Sequence, residues 1–514
     1  MTDQVAFFNP LEDKTIGKLP DPCVLVIFGV TGDLAAKRLL PALYNLAREG
    51  QLPSHFACVG FARREKTNEQ FRKEMLDDVS TYSRTQPIKE EVWSVFNEQL
   101  FYNRSEFDND EGYKALKELL KNLDLEFGTK GNRIYYLSTP PSQFPLIIKK
   151  LHQHNLIYDE HTYPNKFSRI VIEKPFGHDL SSALALESTL ELYLHEDQMY
   201  RIDHYLGKET VQNLLVFRFA NAICEPLWNN KYIDHVQITV SEEDGIGTRG
   251  KLYEEAGTLR DIVQNHMMQL VSLIAMEPPV SLNANSIRDE KVKILNSIRP
   301  MTEDQIKRYA VRGQYGPGFI KGEPVRGYTQ EDNVSSTSYI DTYVGLELFI
   351  DTWRWTGVPF FLRTGKRLPK RATEIAILFK ELPEILFSSI IPHQNNTLVI
   401  RIQPDEGISL KFNSKIPGSS TLVHPVKMDF RYSTHFGTTP PEAYERLLCD
   451  CMLGDQTLFA RKDEVLASWK IIQPILECWQ TTHPSTFPNY AAGTWGPAAA
   501  DHMIQQEGRF WRQI

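Results

Sequence analysis

Residues 23–50 read CVLVIFGVTGDLAAKRLLPALYNLAREG. A short apolar run, Cys23 to Phe28, gives way to Gly29 and Gly32, and then to apolar residues at helical spacing. The run is too short for a helix and rich in Val and Ile, so it predicts a buried strand. Glycines at its end allow a tight turn. The helix that follows offers unpaired N–H groups and the positive end of its dipole. Strand, glycine turn and helix start, in that order, make a seat for a pyrophosphate. The spacing is GxxGxL rather than GxGxxG, so its place at the first strand–helix junction carries the reading. Gly29, Thr31, Gly32, Asp33 and Leu34 are the cofactor candidates here. Pro41, inside the helical pattern, predicts a kink or a helix start close by.

Working outward, FACVGFA (56–62), RIYYLS (133–138) and RIVIE (169–173) are further strands, and 66–79 and 111–123 are helical by their apolar spacing. Strands separated by helices predict a parallel, doubly wound, Rossmann-like sheet. After about residue 205 the pattern changes. HVQITVSE, TYVGLELFI, EIAILFK, NTLVIRIQ and GISLKF are strands with few helices between the later ones, which predicts a large, mainly antiparallel sheet. Helices are expected around 257–276, 441–453 and 462–478, and the Gly-rich stretch 311–330 reads as a long loop. The division is therefore an α/β domain over 1–200 and an α+β domain over 201–514, with a loose tail over the first 20 or so residues.

The chain has 514 residues, 41% of them apolar, enough for a large core. A net charge of −8 gives no footprint for nucleic acid. A local basic cluster can still act on anions, because screening confines exposed charges to about 8 Å at physiological salt. Six cysteines without a CxxC form no disulfide scaffold, and Cys449 and Cys451 read as buried small hydrophobes. The first residues carry acids and no long apolar run, and no stretch reaches the roughly 18 apolar residues of a membrane span, so a cytoplasmic protein is expected.

Cofactor choice turns on the end of the second strand. An NAD site usually sets an acid there for the ribose hydroxyl. This chain has Gly60-Phe-Ala-Arg-Arg64. Arginine suits a 2′-phosphate through charge-assisted bonds, which favours NADP, with NAD the weaker alternative. Thr31 and Arg38 are placed to add contacts. No P-loop is present, because neither Gly207-Lys208 nor Gly365-Lys366 has the upstream glycine.

Oxidising a hydroxyl to a carbonyl needs a base for its proton and no metal, and histidine titrates near working pH. Three segments hold the right residues. In RIDHYLGKE (201–209), His204 and Lys208 share a face if helical and form a phosphate clamp, while Asp203 is free to orient a base. A solvated helix face has the same composition. In GTLRDIVQNH (257–266), His266 precedes the apolar MMQLVSLIAM, where a hydrogen-bonded core histidine is the ordinary case. On an α-helix Asp261 and His266 lie about 140° apart, so Asp203 is the better partner for His266 and Asp261 is left for substrate hydroxyls. In VIEKPFG (171–177), Lys174 ends a strand on the ligand edge of such a sheet, with reach to both nicotinamide and substrate. Pro175 holds Lys174 extended and leaves a cis bond open.

GxxGDLA, EKPFG, RIDHYLGKE and RDIVQNH, in this order and spacing, resemble the glucose-6-phosphate dehydrogenase family. The likeness runs from about residue 22 to 500 and includes GVPFFLRTGKRL (357–368), LVIRIQP (398–404) and PEAYERLL (441–448). The resemblance implies oxidation of β-D-glucose 6-phosphate at C1 to 6-phosphoglucono-δ-lactone with hydride transfer to NADP, the first step of the oxidative pentose phosphate pathway. It implies His266 as general base with Asp203 as partner. His204, Tyr205 and Lys208 would hold the phosphate, with Lys366 and Arg371 adding contacts. Glu242 and Asp261 would bind sugar hydroxyls, Gln403 would line the site, Lys174 would bridge sugar and cofactor, and Arg63 would meet the 2′-phosphate. It also implies a homodimer or homotetramer. Two departures stand out: Phe144 where some members have tyrosine, and EEDGIG after Ser241. Two rivals remain at this point. Another sugar dehydrogenase would not need the His204 and Lys208 clamp, and a non-catalytic NADP sensor would not need both Asp203 and His266.

Overall fold

Six parallel strands grow from the apolar runs: β1 (Cys23–Phe28), β2 (Phe56–Ala62), β3 (Leu100–Arg104), β4 (Arg133–Leu137), β5 (Ser168–Glu173) and β6 (Met199–Ile202). β1, β2 and β4 are buried at every position, as strands covered on both faces must be. The computed structural model describes residues 19–158, 162–381, 395–419, 422–436, 441–482, 484 and 486–514. The expected N-terminal tail lies almost wholly outside them. The strand order is β3-β2-β1-β4-β5-β6, and the short strand Phe459–Ala460 pairs antiparallel to β6. Order reverses between β1 and β4, and ligands bind such sheets beyond the carboxyl ends of the strands at that switch. The helix after β1 begins at Asp33, runs in π-form over Ala35–Leu39, and continues as an α-helix over Leu40–Arg48. Pro41, which has no N–H to donate, stands where the α-form starts.

The second sheet has eight strands: β7 (Ile233–Ser241), β8 (Ala310–Gly313), β9 (Tyr343–Phe349), β10 (Pro359–Gly365), β11 (Ala372–Phe379), β12 (Thr397–Gln403), β13 (Gly407–Lys415) and β14 (Val423–Arg431). Their order is β14-β13-β12-β11-β7-β10-β9-β8. Every pair is antiparallel except β7 with β10. The stretch read as a loop over 311–330 holds short strands instead: the end of β8, Tyr315–Gly316 paired with Tyr490–Ala491, and the hairpin Gly318–Ile320 with Glu323–Val325.

The chain divides into two compact units, Met1–Gly207 with Pro279–Arg288 and Pro441–Val465, and Lys208–Pro278 with Asp289–Pro440 and Leu466–Ile514. A boundary drawn from sequence pattern is contiguous and carries no sign of segments that return to the first unit from later in the chain. All six cysteines are free, and Cys451 is buried while Cys449 is only partly so. Among the described residues no helix is long and apolar enough to cross a membrane.

Candidate active site

In the first unit the carboxyl edge of the parallel sheet gathers the candidates. Gly29 follows β1 with φ 79°, and a Cβ there would lie 2.3 Å from the carbonyl oxygen of Ser138. Its N–H donates to Phe61 O at 2.8 Å, and Gly32 N–H donates to Gly29 O at 3.0 Å. Only glycine fits this turn, which sets backbone rather than side chain at the helix start, as a pyrophosphate requires. Thr31 and Leu34 are half-buried beside it. Asp33 is exposed and pairs with Lys37 at 2.9 Å. Arg38, one helical turn on, pairs with Glu442 at 3.1 Å. Arg63 lies exposed just beyond β2, and Lys174 just beyond β5, where the Lys174–Pro175 bond is cis. Phe144 opens the helix Phe144–Gln153 and is fully buried.

RIDHYLGKE is not a helix. β6 ends at Ile202, residues 203–207 form a turn, and the helix Glu209–Phe219 starts after Lys208. The buried Asp203 makes the turn, its Oδ1 accepting from Tyr205 N–H at 2.9 Å while its carbonyl accepts from Leu206 N–H at 3.0 Å. A short acidic side chain competes in this way with helical hydrogen bonding. The shared face expected for His204 and Lys208 therefore does not exist, and the two residues belong to different units. Arg201 is a core residue, fully buried between Glu187 and Glu196. Tyr205 is buried, and the His204 ring lies nearly parallel to Tyr444, 13° between planes and 6.5 Å between centroids.

One group at this edge went unread in the sequence. Glu173, the last residue of β5, accepts hydrogen bonds from the hydroxyls of Tyr136 and Tyr444. Enclosure pushes its carboxyl up to about 7, against the two hydroxyls and Lys174, which pull it down, while Asp203 pushes the same way as enclosure. The available signal is an acid at the carboxyl end of a buried strand, beside Lys174.

In the second unit the parallel pair builds its own edge. Ser241 of β7 lies opposite Gly365 of β10, so the next residues, Glu242 and Lys366, emerge together. Lys366 is 3% exposed; its Nζ is in ion-pair contact with Glu242, lies 3.7 Å from Asp261 Oδ2, and sits over the Tyr253 ring at 5.5 Å. A buried ammonium between two carboxylates suits neutral hydroxyls better than a phosphate, contrary to the phosphate role that the resemblance implies. At the end of β12, Gln403 Oε1 accepts from Lys208 Nζ at 2.6 Å and more weakly from Arg371 at 3.5 Å, while its amide nitrogen donates to Thr373 at 2.9 Å. Two cations converging on one neutral oxygen suit an anion.

His266 is 1% exposed and lies in a π-helical stretch, Leu259–Met267. Asp261 occupies the same stretch. The 140° separation assumed an α-helix. In a π-helix the hydrogen bonds run i→i+5, so residues five apart come back to the same side. Asp261 and His266, five apart, are therefore not held on opposite sides of the helix. Such stretches are frequent at functional sites.

Residues 26–213 match the family described as glucose-6-phosphate dehydrogenase, NAD binding domain, and residues 215–512 match glucose-6-phosphate dehydrogenase, C-terminal domain. The chain is 54% identical to the glucose-6-phosphate 1-dehydrogenase of Chlamydia pneumoniae over 510 residues, covering 98% of this chain and 99% of that one.

This chain belongs to the glucose-6-phosphate dehydrogenase family.

The glucose-6-phosphate 1-dehydrogenase of Bacillus subtilis is 44% identical over 492 residues, covering 96% of this chain and 98% of its own. A solved structure described as glucose-6-phosphate dehydrogenase in complex with its substrate glucose-6-phosphate superposes with TM-score 0.87 at 35% identity, covering 96% of this chain and 99% of that chain. The enzyme from Mycobacterium avium gives 0.82 at 34%, with the same coverage. As a glucose-6-phosphate dehydrogenase family member, the chain is an oxidoreductase with a domain of NAD-binding type. Family membership separates it from the two rival readings raised by the sequence.

Proposed function

We propose that this protein oxidises β-D-glucose 6-phosphate at C1 to 6-phosphoglucono-δ-lactone with NADP as hydride acceptor, the first step of the oxidative pentose phosphate pathway. The full-length match to relatives of that name carries the reading. The bound nicotinamide supplies the acceptor for the C1 hydride. The glycine turn, Gly29 to Leu34, holds the pyrophosphate by backbone, and Arg63 with Thr31 and Arg38 favours the 2′-phosphate. An imidazole nitrogen of His266 takes the C1 hydroxyl proton, and Asp203 orients it and stabilises the imidazolium. Lys208 and Arg371, held on Gln403, bind the phosphate with His204 and Tyr205. Lys366, Glu242 and Asp261 bind sugar hydroxyls, and Lys174 bridges sugar and nicotinamide. The same reading puts the enzyme in the cytoplasm as a homodimer or homotetramer.

The test is reduction of NADP on mixing purified protein with glucose 6-phosphate, followed by absorbance. No reduction of NADP or NAD refutes the activity, and reduction of NAD alone refutes the NADP preference. Unphosphorylated glucose should react far more slowly, since the phosphate contacts also hold the transition state.

A further inference from the structure

The helix Ala443–Leu453 is fastened into the first unit at three points. Glu442 pairs with Arg38 at 3.1 Å. Glu445, 2% exposed, accepts from Asn45 at 2.8 Å and from both Nε and Nη2 of Arg84 at 2.8 and 2.7 Å. The carbonyls of Cys451 and Met452 accept from Arg169 at 2.8 and 2.9 Å. Charge-assisted bonds such as those of Glu445 to Arg84 are roughly twice as strong as neutral ones, and here Glu445 is buried.

The start of this helix touches the turn after β6 twice. Gly207 has room for no side chain there, because a Cβ would lie 2.7 Å from the Ala443 carbonyl oxygen. One residue further on, the Tyr444 ring stacks with His204. The Tyr444 hydroxyl donates to Glu173, at the end of the strand that precedes Lys174. A ring that can slide or tilt makes a poor platform. This one is pinned at its far end by a carboxylate, which Tyr136 holds in turn.

We propose that Tyr444 is a positioning residue that sets the His204 ring for the substrate phosphate, with Glu173 as the anchor that fixes Tyr444. The inference rests on the proposed role of His204. It assigns to the returning helix a share in specificity for phosphorylated over plain sugar. An offset ring pair and a hydrogen bond to a carboxylate are each modest, so the effect belongs in KM rather than in the chemical step.

The experiment compares wild type, Tyr444→Phe, Tyr444→Leu and Glu173→Gln in steady-state kinetics with glucose 6-phosphate and with high glucose. Tyr444→Phe keeps the stacked ring and loses the anchor, so the KM for glucose 6-phosphate should rise about three- to tenfold with kcat within about twofold. Tyr444→Leu should raise it further, and Glu173→Gln should fall between wild type and Tyr444→Phe. Kinetics with glucose should change far less, because the phosphate is missing. In a His204→Ala background, Tyr444→Phe should have no added effect. A merely structural role would lower activity with both sugars alike and would persist without His204; either result overturns the proposal. So does an unchanged KM for glucose 6-phosphate in Tyr444→Leu. If wild type is inactive with this substrate, the proposed function itself falls, and the positioning role falls with it.

Discussion

The two sheets present their chemistry in different ways. In the parallel sheet, position follows from topology: Gly29, Arg63, Lys174 and Asp203 each stand one residue beyond a strand, at the same edge. In the second sheet, position follows from irregularities. Glu242 and Lys366 meet because β7 and β10 are the one parallel pair among antiparallel neighbours, and His266 rides on a π-helical stretch. A regular sheet lets sites be read by rule, whereas an exception must be seen.

The sharpest way to break that contrast is at His266. His266→Asn should lower kcat by about 10²–10⁴-fold with little change in KM, measured by initial rates. An active variant would strip the π-helical stretch of its catalytic meaning. At the other edge, Gly29→Ala should cost about 2–4 kcal/mol of stability in urea titrations, because a positive φ and a backbone clash add. Ordinary stability would mean that the turn tolerates a side chain. Arg63→Ala should weaken NADP about tenfold and leave NAD nearly unaffected, by analogy with the loss of one charge-assisted contact. Equal losses would take Arg63 away from the 2′-phosphate.

The smallest effect concerns pH. Glu173 faces Tyr136, Tyr444, Lys174 and Asp203, and its carboxyl is raised from 4.5 to about 7 in the fold. A raised acid stabilises the fold fully below its unfolded pKa, and that contribution is lost as pH climbs through 7. Glu173→Gln has no such loss, so its stability relative to wild type should improve between pH 5 and pH 8. Denaturation midpoints that move in parallel across that range would show that Glu173 is not raised.

The same contrast explains what the sequence disclosed. β1, β2, β4 and β5 appear within a residue or so of their predicted places, because unbroken Val- and Ile-rich runs have few other uses. β3 and β6 are short and partly polar, and went unread. β10 begins with a proline and carries Arg363; β14 is an exposed edge that alternates charges with apolar residues, as edges do. Missing β10 hid the pairing of Glu242 with Lys366. RIDHYLGKE displays its chemistry in the sequence but not its geometry, since the residues suit a helix and the turn rests on Asp203. Tyr444 lies in PEAYERLL, which carries no catalytic pattern of its own. A partner more than two hundred residues away leaves no local mark.

The return of residues 441–465 to the first unit has a consequence for how the chain is made. Synthesis runs from the amino end, and domains generally fold as they emerge. Here the nascent first unit waits. Until residue 460 of 514 has been added, β6 lacks its neighbour Phe459–Ala460 and remains an open edge, and Arg84 and Asn45 lack Glu445. An open edge is a place where chains find each other wrongly. A fragment cut near residue 213, where the family's NAD-binding domain stops, would carry that defect permanently and should aggregate where the whole chain does not.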